Sequence, residues 1–180
     1  LITMVRCSFA ANFQITQLDL PPAASGRVLA LNFKSHTAPN DGRAHFNLIN
    51  VYFSSGKSPM LLKEEQIATL SEVDGSFHSF MGGDFNFVEH AADCSGDLSN
   101  NCLSGTAKTT WDREVARLKL RDASQEAHTR FQASHSNPSS ARLDRFYTSL
   151  SDAEMSILKV LAYPVFAGSV HSKCHASLHE

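Results

Sequence analysis

The sequence predicts a layered domain of the α/β or α+β class. Three observations carry this: strand-like segments outnumber helical ones, the two kinds alternate irregularly, and the chain's 180 residues fall within single-domain size. About a quarter of the residues are Leu, Ile, Val or Phe, above the roughly 20% below which a chain stays disordered, so a packed core is expected. No internal repeat and no low-complexity tract interrupts it.

Strand signals come first along the chain. Leu1 to Arg6, Phe13 to Leu20 and Arg27 to His36 are apolar with partial alternation, punctuated by Pro21, Pro22 and Gly26. Asn40, Asp41 and Gly42 form a turn before a fourth strand, His45 to Phe53. Ser58 followed by Pro59 pairs a capping hydroxyl with proline at the first helical position, and Leu62, Ile67 and Leu70 continue a helix to about Val73. Phe77 to Met81 reads as a short strand running into two glycines. Asp93 to Thr106 reads as a loop, and Thr109 to Leu120 as a second helix with Trp111, Val115 and Leu118 on one side. Further strands are expected at Ala127 to Ala133, Ala141 to Ser149, Met155 to Tyr163 and Cys174 to His179.

Composition excludes several classes. A net charge of −2 and a pI near 6.5 lack the basic balance of a protein that holds nucleic acid by charge alone, so any polyanion contact must be local. No uncharged apolar run approaches the roughly 18 residues needed to cross a bilayer. Leu1 has no initiating Met before it and no signal-like segment after it, so it reads as a cut end of a domain only partly present. Cys7, Cys94, Cys102 and Cys174 form no CxxC and no disulfide framework, which points to a reduced, intracellular compartment. Arg113, Arg117, Lys119 and Arg121 are interleaved with Asp112, Glu114 and Asp122, and read as a solvated helix face.

Two clusters carry chemistry. Gly82-Gly83-Asp84-Phe85-Asn86 follows a strand, and if the backbone stays extended Asp84 and Asn86 point the same way. A carboxylate there can hold Mg²⁺ or orient water, and a carboxamide can donate to a phosphoryl oxygen. The same five residues read equally as an Asx turn capping a helix near Glu89. In Ala141 to Tyr147, alternation sets Arg142 and Asp144 on one face and Leu143 and Arg145 on the other. Asp144 can orient a histidine, with His175 as candidate partner; taken singly, it reads as a surface ion pair.

In combination the segments are more specific. Gly83-Asp84-Phe85-Asn86, then Arg142-Leu143-Asp144-Arg145, then His175 resemble the endonuclease/exonuclease/phosphatase superfamily. Ala141 to Ser149 with Thr129-Arg130-Phe131 is most similar to the apurinic/apyrimidinic-type endonuclease domain of LINE-type retrotransposons, and Asn50-Val51-Tyr52 to the strand carrying a phosphate-side tyrosine. The resemblance implies a single domain over residues 1–180, a four-layer α/β sandwich incomplete at its amino end, cleaving phosphodiesters of DNA with Mg²⁺ (Mn²⁺ as the alternative ion). It implies that Asp84 orients the nucleophilic water, that Asn86 binds phosphate and shares the metal with Asp84, and that Tyr52 contacts the phosphate. Asp144 would hold His175, and Arg142 is a further candidate substrate contact. DNA is the expected partner, in a nuclear setting, with no membrane and no obligate protein partner.

The pattern departs at two points. Nothing in Leu1 to Leu20 supplies the superfamily's metal-binding Glu and earlier Asn, and Ser172-Lys173-Cys174-His175 has cysteine where an aspartate is usual. A thiol is mostly neutral at pH 7 and a soft ligand, a poor substitute for a carboxylate beside Mg²⁺, so little turnover is expected from this polypeptide alone. The competing expectations are a non-catalytic remnant that binds nucleic acid or protein, and a phosphatase acting on a small phosphoester. His171, Cys174, His175 and His179 form a rival zinc set, disfavoured because strand alternation puts Cys174 opposite the two histidines that follow it.

Overall fold

Pairing in register, rather than composition, sorts the apolar segments into strands. The structure, a computed structural model, describes residues 1–38, 44–55, 60–95, 102–103, 105–123, 125, 127–132, 139–156, 158–162 and 174–178. Among them are strands β1 (Phe13–Gln17), β2 (Val28–Ser35), β3 (Phe46–Tyr52), β4 (His78–Asp84), β5 (Cys94–Ser95), β6 (Arg121–Asp122), β7 (Arg130–Gln132), β8 (Ser139–Ala141), β9 (Asp144–Thr148), β10 (Leu158–Ala162) and β11 (Cys174–Leu178). The helices are α1 (Cys7–Ala10), α2 (Met60–Ala68), α3 (Gly105–Arg117) and α4 (Asp152–Met155).

Six strands form one mixed sheet in the order β1-β2-β3-β4-β9-β6. Its one parallel pair, β3 and β4, is joined across α2, as a parallel connection requires. Alternation gives the sheet two apolar faces. On one, Val28, Ala30, Ile49, Val51, Met81 and Tyr147 pack with Ile67 and Leu70 of the α2 segment and with Trp111 and Leu118 of the α3 segment. On the other, Phe13, Phe33, Phe46, Phe80 and Phe146 line a cavity of about 910 Å³ together with Phe9 and Met4 from the amino-terminal stretch. A sheet apolar on both sides is built to be covered on both sides.

Several segments differ from the sequence expectation, among them Ala141 to Ser149, expected as one strand and found as the end of β8 and all of β9, which lie in different sheets. Leu1 to Arg6 joins no ladder; the Asn50 amide donates to the Ile2 carbonyl at 3.2 Å, which lays the segment across the second face. The stretch expected as a strand from Met155 begins inside α4, whose Ser151 cap and Glu154 form a reciprocal capping box. Of the basic run that starts on α3, Arg113, Lys119 and Arg121 are exposed as expected; the departure is Glu114, 1% exposed, which accepts from Arg113 and from Arg117, and Arg117 also donates to the Val73 carbonyl at 2.8 Å. No helix among the described residues is long and apolar enough to cross a membrane.

Candidate active site

The central strands bring three of the sequence-selected residues into one row. Asp84 ends β4; its register partner on β3 is Tyr52, and its partner on β9 is Asp144. Residues directly opposite across a ladder share a face, so the phenol and both carboxyls stand on the second face, at the carboxyl edge of β3 and β4. Phe46, Phe80 and Phe146 lie further down the same face by the same two-residue period.

Asn86 reaches the row by a turn. Its φ is +50°, left-handed geometry that asparagine tolerates better than most side chains, so the backbone does not stay extended through the motif. The Asn86 backbone N–H donates to Asp84 Oδ1 at 2.9 Å, and its Nδ2 donates to the Phe53 carbonyl at 2.8 Å. The Asx turn is therefore present, yet it caps no helix: Val88 makes an isolated bridge and the following Ala91–Asp93 is a single 3-10 turn. Phe85 and Phe87 enter the helix-side core against Phe53 and Trp111, which anchors the turn from beneath.

Asp144 is set by a hydroxyl. Thr129, fully buried, accepts from the N–H groups of Leu143 at 3.1 Å and Asp144 at 3.0 Å, where β9 begins. Gln125 donates to the Asp144 carbonyl at 3.2 Å. Thr129 belongs to the Thr-Arg-Phe segment selected from sequence, and its bonds give that segment a physical task.

Arg142 does not join the row. Its guanidinium is 8% exposed and bonds Asp93 through Nε at 2.9 Å and Asp122 through Nη2, so the expected substrate contact is a cation committed to two carboxylates. Burial works against the Asp93 charge, but the Arg142 hydrogen bond and charge hold its carboxyl below the usual range; for Asp122 burial wins and the pKa is raised. Arg145, the other arginine of the cluster, is fully buried and bonds Glu89 at 3.2 Å and the Phe87 carbonyl at 2.6 Å.

His175 lies on β11, whose Cα atoms approach those of β9 within 8 Å, and pairs with Leu161 of β10. Its side chain, with those of Cys174, His171 and His179, lies outside the described residues.

Two residues absent from the motifs stand beside the row. Arg27 places its guanidinium 4.9 Å from the centre of the Tyr52 ring, a cation–π contact at the exposed phenol. Lys63 of α2 is 6% exposed and donates from Nζ to the Asn86 carbonyl at 2.7 Å. Burial lowers its pKa to about 8, opposed by the Asp84 charge and reinforced by Arg145. Lys63 shares the inward helix face with Ile67 and Leu70, a spacing of four and three, whereas Leu62 on that helix is 51% exposed.

No protein-family model and no curated protein matches the sequence. Solved structures do. The endonuclease domain of TRAS1, a telomere-specific non-LTR retrotransposon, superposes with a TM-score of 0.61 at 13% identity, covering 93% of this chain and 69% of that one. An AP endonuclease from Archaeoglobus fulgidus gives 0.62 at 13% identity, covering 94% of this chain and 80% of that one. The chain shares the fold of these two endonuclease structures. At such low identity the likeness fixes the architecture, and the chemistry rests on the residues above.

Asp84, Asp144 and the Asn86 carboxamide are oxygen donors, the type that a hard divalent cation takes. Among the described residues no group of three or more His, Cys, Asp and Glu that could hold a metal ion is gathered. Asp84 and Asp144 face each other across the ladder. One or two carboxylates with an amide oxygen suit Mg²⁺, which keeps much of its water and completes its shell with phosphate.

Proposed function

We propose that this chain is a metal-dependent phosphodiesterase of the endonuclease type, acting on DNA. The observation that carries the reading is the Tyr52–Asp84–Asp144 row, three residues of the right chemistry at one sheet edge of a nuclease fold. Asp84 and Asn86 would hold Mg²⁺ or Mn²⁺, and what the ion supplies when bound is Lewis-acid polarisation of a phosphoryl oxygen. Asp84 orients the attacking water and accepts a hydrogen bond from it. Tyr52 and the Asn86 amide donate to phosphate oxygens, and the role proposed for Asp144 is to orient His175, whose imidazole would bind or protonate at the scissile phosphate. The similar structures are a retrotransposon endonuclease domain and an AP endonuclease, which favours DNA over a small phosphoester as substrate, and the retrotransposon likeness favours a nuclear setting.

Nicking of supercoiled plasmid tests this. The protein is expected to relax plasmid with Mg²⁺ or Mn²⁺ and not with EDTA, and Asp84→Asn to lower the rate at least about 100-fold while leaving the unfolding midpoint near wild type. Absence of metal-dependent nicking, or an Asp84→Asn variant as fast as wild type, would overturn the assignment; faster turnover of a soluble phosphoester than of DNA would move the substrate class.

Arg27 gives a second, smaller expectation. On this reading the cation stacked on Tyr52 would meet a flanking DNA phosphate, so Arg27→Gln should weaken DNA binding uniformly across sequences and reduce the slope of log affinity against log salt by about 1. An unchanged salt slope would remove Arg27 from the interface.

A further inference from the structure

The site holds one buried cation that no motif assigns. Lys63 donates to the Asn86 carbonyl at 2.7 Å, with the Phe87 ring centre 5.8 Å from the same nitrogen. A buried ammonium is costly unless it is hydrogen-bonded, so this bond ties α2 to the left-handed turn at Asn86. Nearly one helical turn later, Gln66 accepts from the Ser54 N–H and donates to the Ser54 hydroxyl, both at 2.9 Å. One helix thus grips the exits of both parallel strands, β4 through Lys63 and β3 through Gln66, and Asn86 Nδ2 closes the bridge between them on the Phe53 carbonyl.

We propose that Lys63 is a positioning residue: by holding the Asn86 carbonyl it fixes the turn that orients the Asn86 amide and the Asp84 carboxylate toward a bound phosphate. It acts through Asn86 and not on the substrate. The proposal rests on reading Asp84 and Asn86 as the site, and its test is arranged so that the two can fail separately.

The test uses Lys63→Met and Lys63→Arg, with Leu61→Ala, 75% exposed on the same helix, as control. In metal-free protein, ¹⁵N NMR follows the Asn86 side-chain amide and the Trp111 indole N–H; with metal, plasmid nicking separates kcat from KM. Lys63→Met is expected to shift the Asn86 amide while leaving the Trp111 signal in place, and to lower kcat about 10-fold or more with KM within about twofold, as loss of an outer-shell partner does. Lys63→Arg, still able to donate to the carbonyl, should recover part of both effects, and Leu61→Ala should match wild type. An Asn86 signal unmoved in Lys63→Met, or one that moves only together with Trp111, overturns the role. If wild type does not nick, the phosphodiesterase reading fails while the NMR arm still decides Lys63. Should Lys63→Met not fold, Lys63→Arg decides: a shift confined to the 84–86 turn supports positioning, and an unmoved Asn86 overturns it.

Discussion

Arg145→Ala is expected to cost about 3 to 5 kcal/mol of stability, which shifts the unfolding equilibrium by two to four powers of ten. Arg145 is fully buried, its Nη1 lies 3.2 Å from Glu89 Oε2, and its guanidinium carbon is 4.9 Å and 4.7 Å from the ring centres of Phe85 and Phe87. Removal of one partner of such a pair leaves the other charge uncompensated in a weakly solvated setting. Glu89 would keep two donors, the Trp111 indole and the Tyr147 hydroxyl at 2.5 Å, which places the loss toward the lower end of the range. Those donors cannot replace the packing: the aromatic cage would also lose its central group. Arg145→Met separates the contributions, because it refills most of the volume without the charge, and about 2 to 3 kcal/mol should still be lost. Adding Glu89→Gln should restore part of that loss in a double-mutant cycle. Urea unfolding of wild type, Arg145→Ala, Arg145→Met, Glu89→Gln and the Arg145→Met/Glu89→Gln double variant decides the matter; a Met variant as stable as wild type would show that the ion pair contributes nothing.

Gly83→Ala is the second large effect. The φ of Gly83 is +143°, and a Cβ there would stand 1.9 Å from the Val51 carbonyl oxygen on the neighbouring strand. Backbone meets backbone, so no rotamer change can relieve the contact. Destabilisation of about 4 kcal/mol or more is expected, enough to leave a marginally stable domain largely unfolded. The adjacent glycine differs in kind. At Gly82 a Cβ would meet the Phe146 ring at 2.6 Å, and a ring lining an open cavity can swing aside, so Gly82→Ala should cost about 1 to 3 kcal/mol. Thermal melts of the two variants side by side test the contrast, and a Gly83→Ala protein melting with wild type would refute it.

Much of the architecture was legible because alternation marks half-buried strands: β2, β3 and β4 fall where Val28 to Ser35, Phe46 to Tyr52 and the approach to Gly82 put apolar residues two apart. Leu1 to Arg6 has the same composition without a ladder partner, and composition cannot supply one. Ser151 and Glu154 have the spacing of a capping box, a helix-start signal that the expectation of a strand from Met155 did not use. For the site, Tyr52, Asp84 and Asp144 were legible as chemical types, but their adjacency is a product of register, which no single segment encodes. Arg142 illustrates the reverse, since its carboxylate partners lie 49 and 20 residues away in sequence. Lys63 was hidden because a charged residue in a helix is read as solvent-facing, although its spacing from Ile67 and Leu70 is that of a buried stripe.

The common side shared by the acids and the aromatic wall would make the proposed nicking activity a reporter of strand alignment. Were β9 to slip by one place against β4, Asp144 and Phe146 would exchange sides with Arg145 and Tyr147. The carboxylate would then be stranded beneath the helices and the guanidinium thrust among the phenylalanines. A misaligned molecule would lose its chemistry and its core in the same event, so nicking activity would track the correctly paired fraction alone.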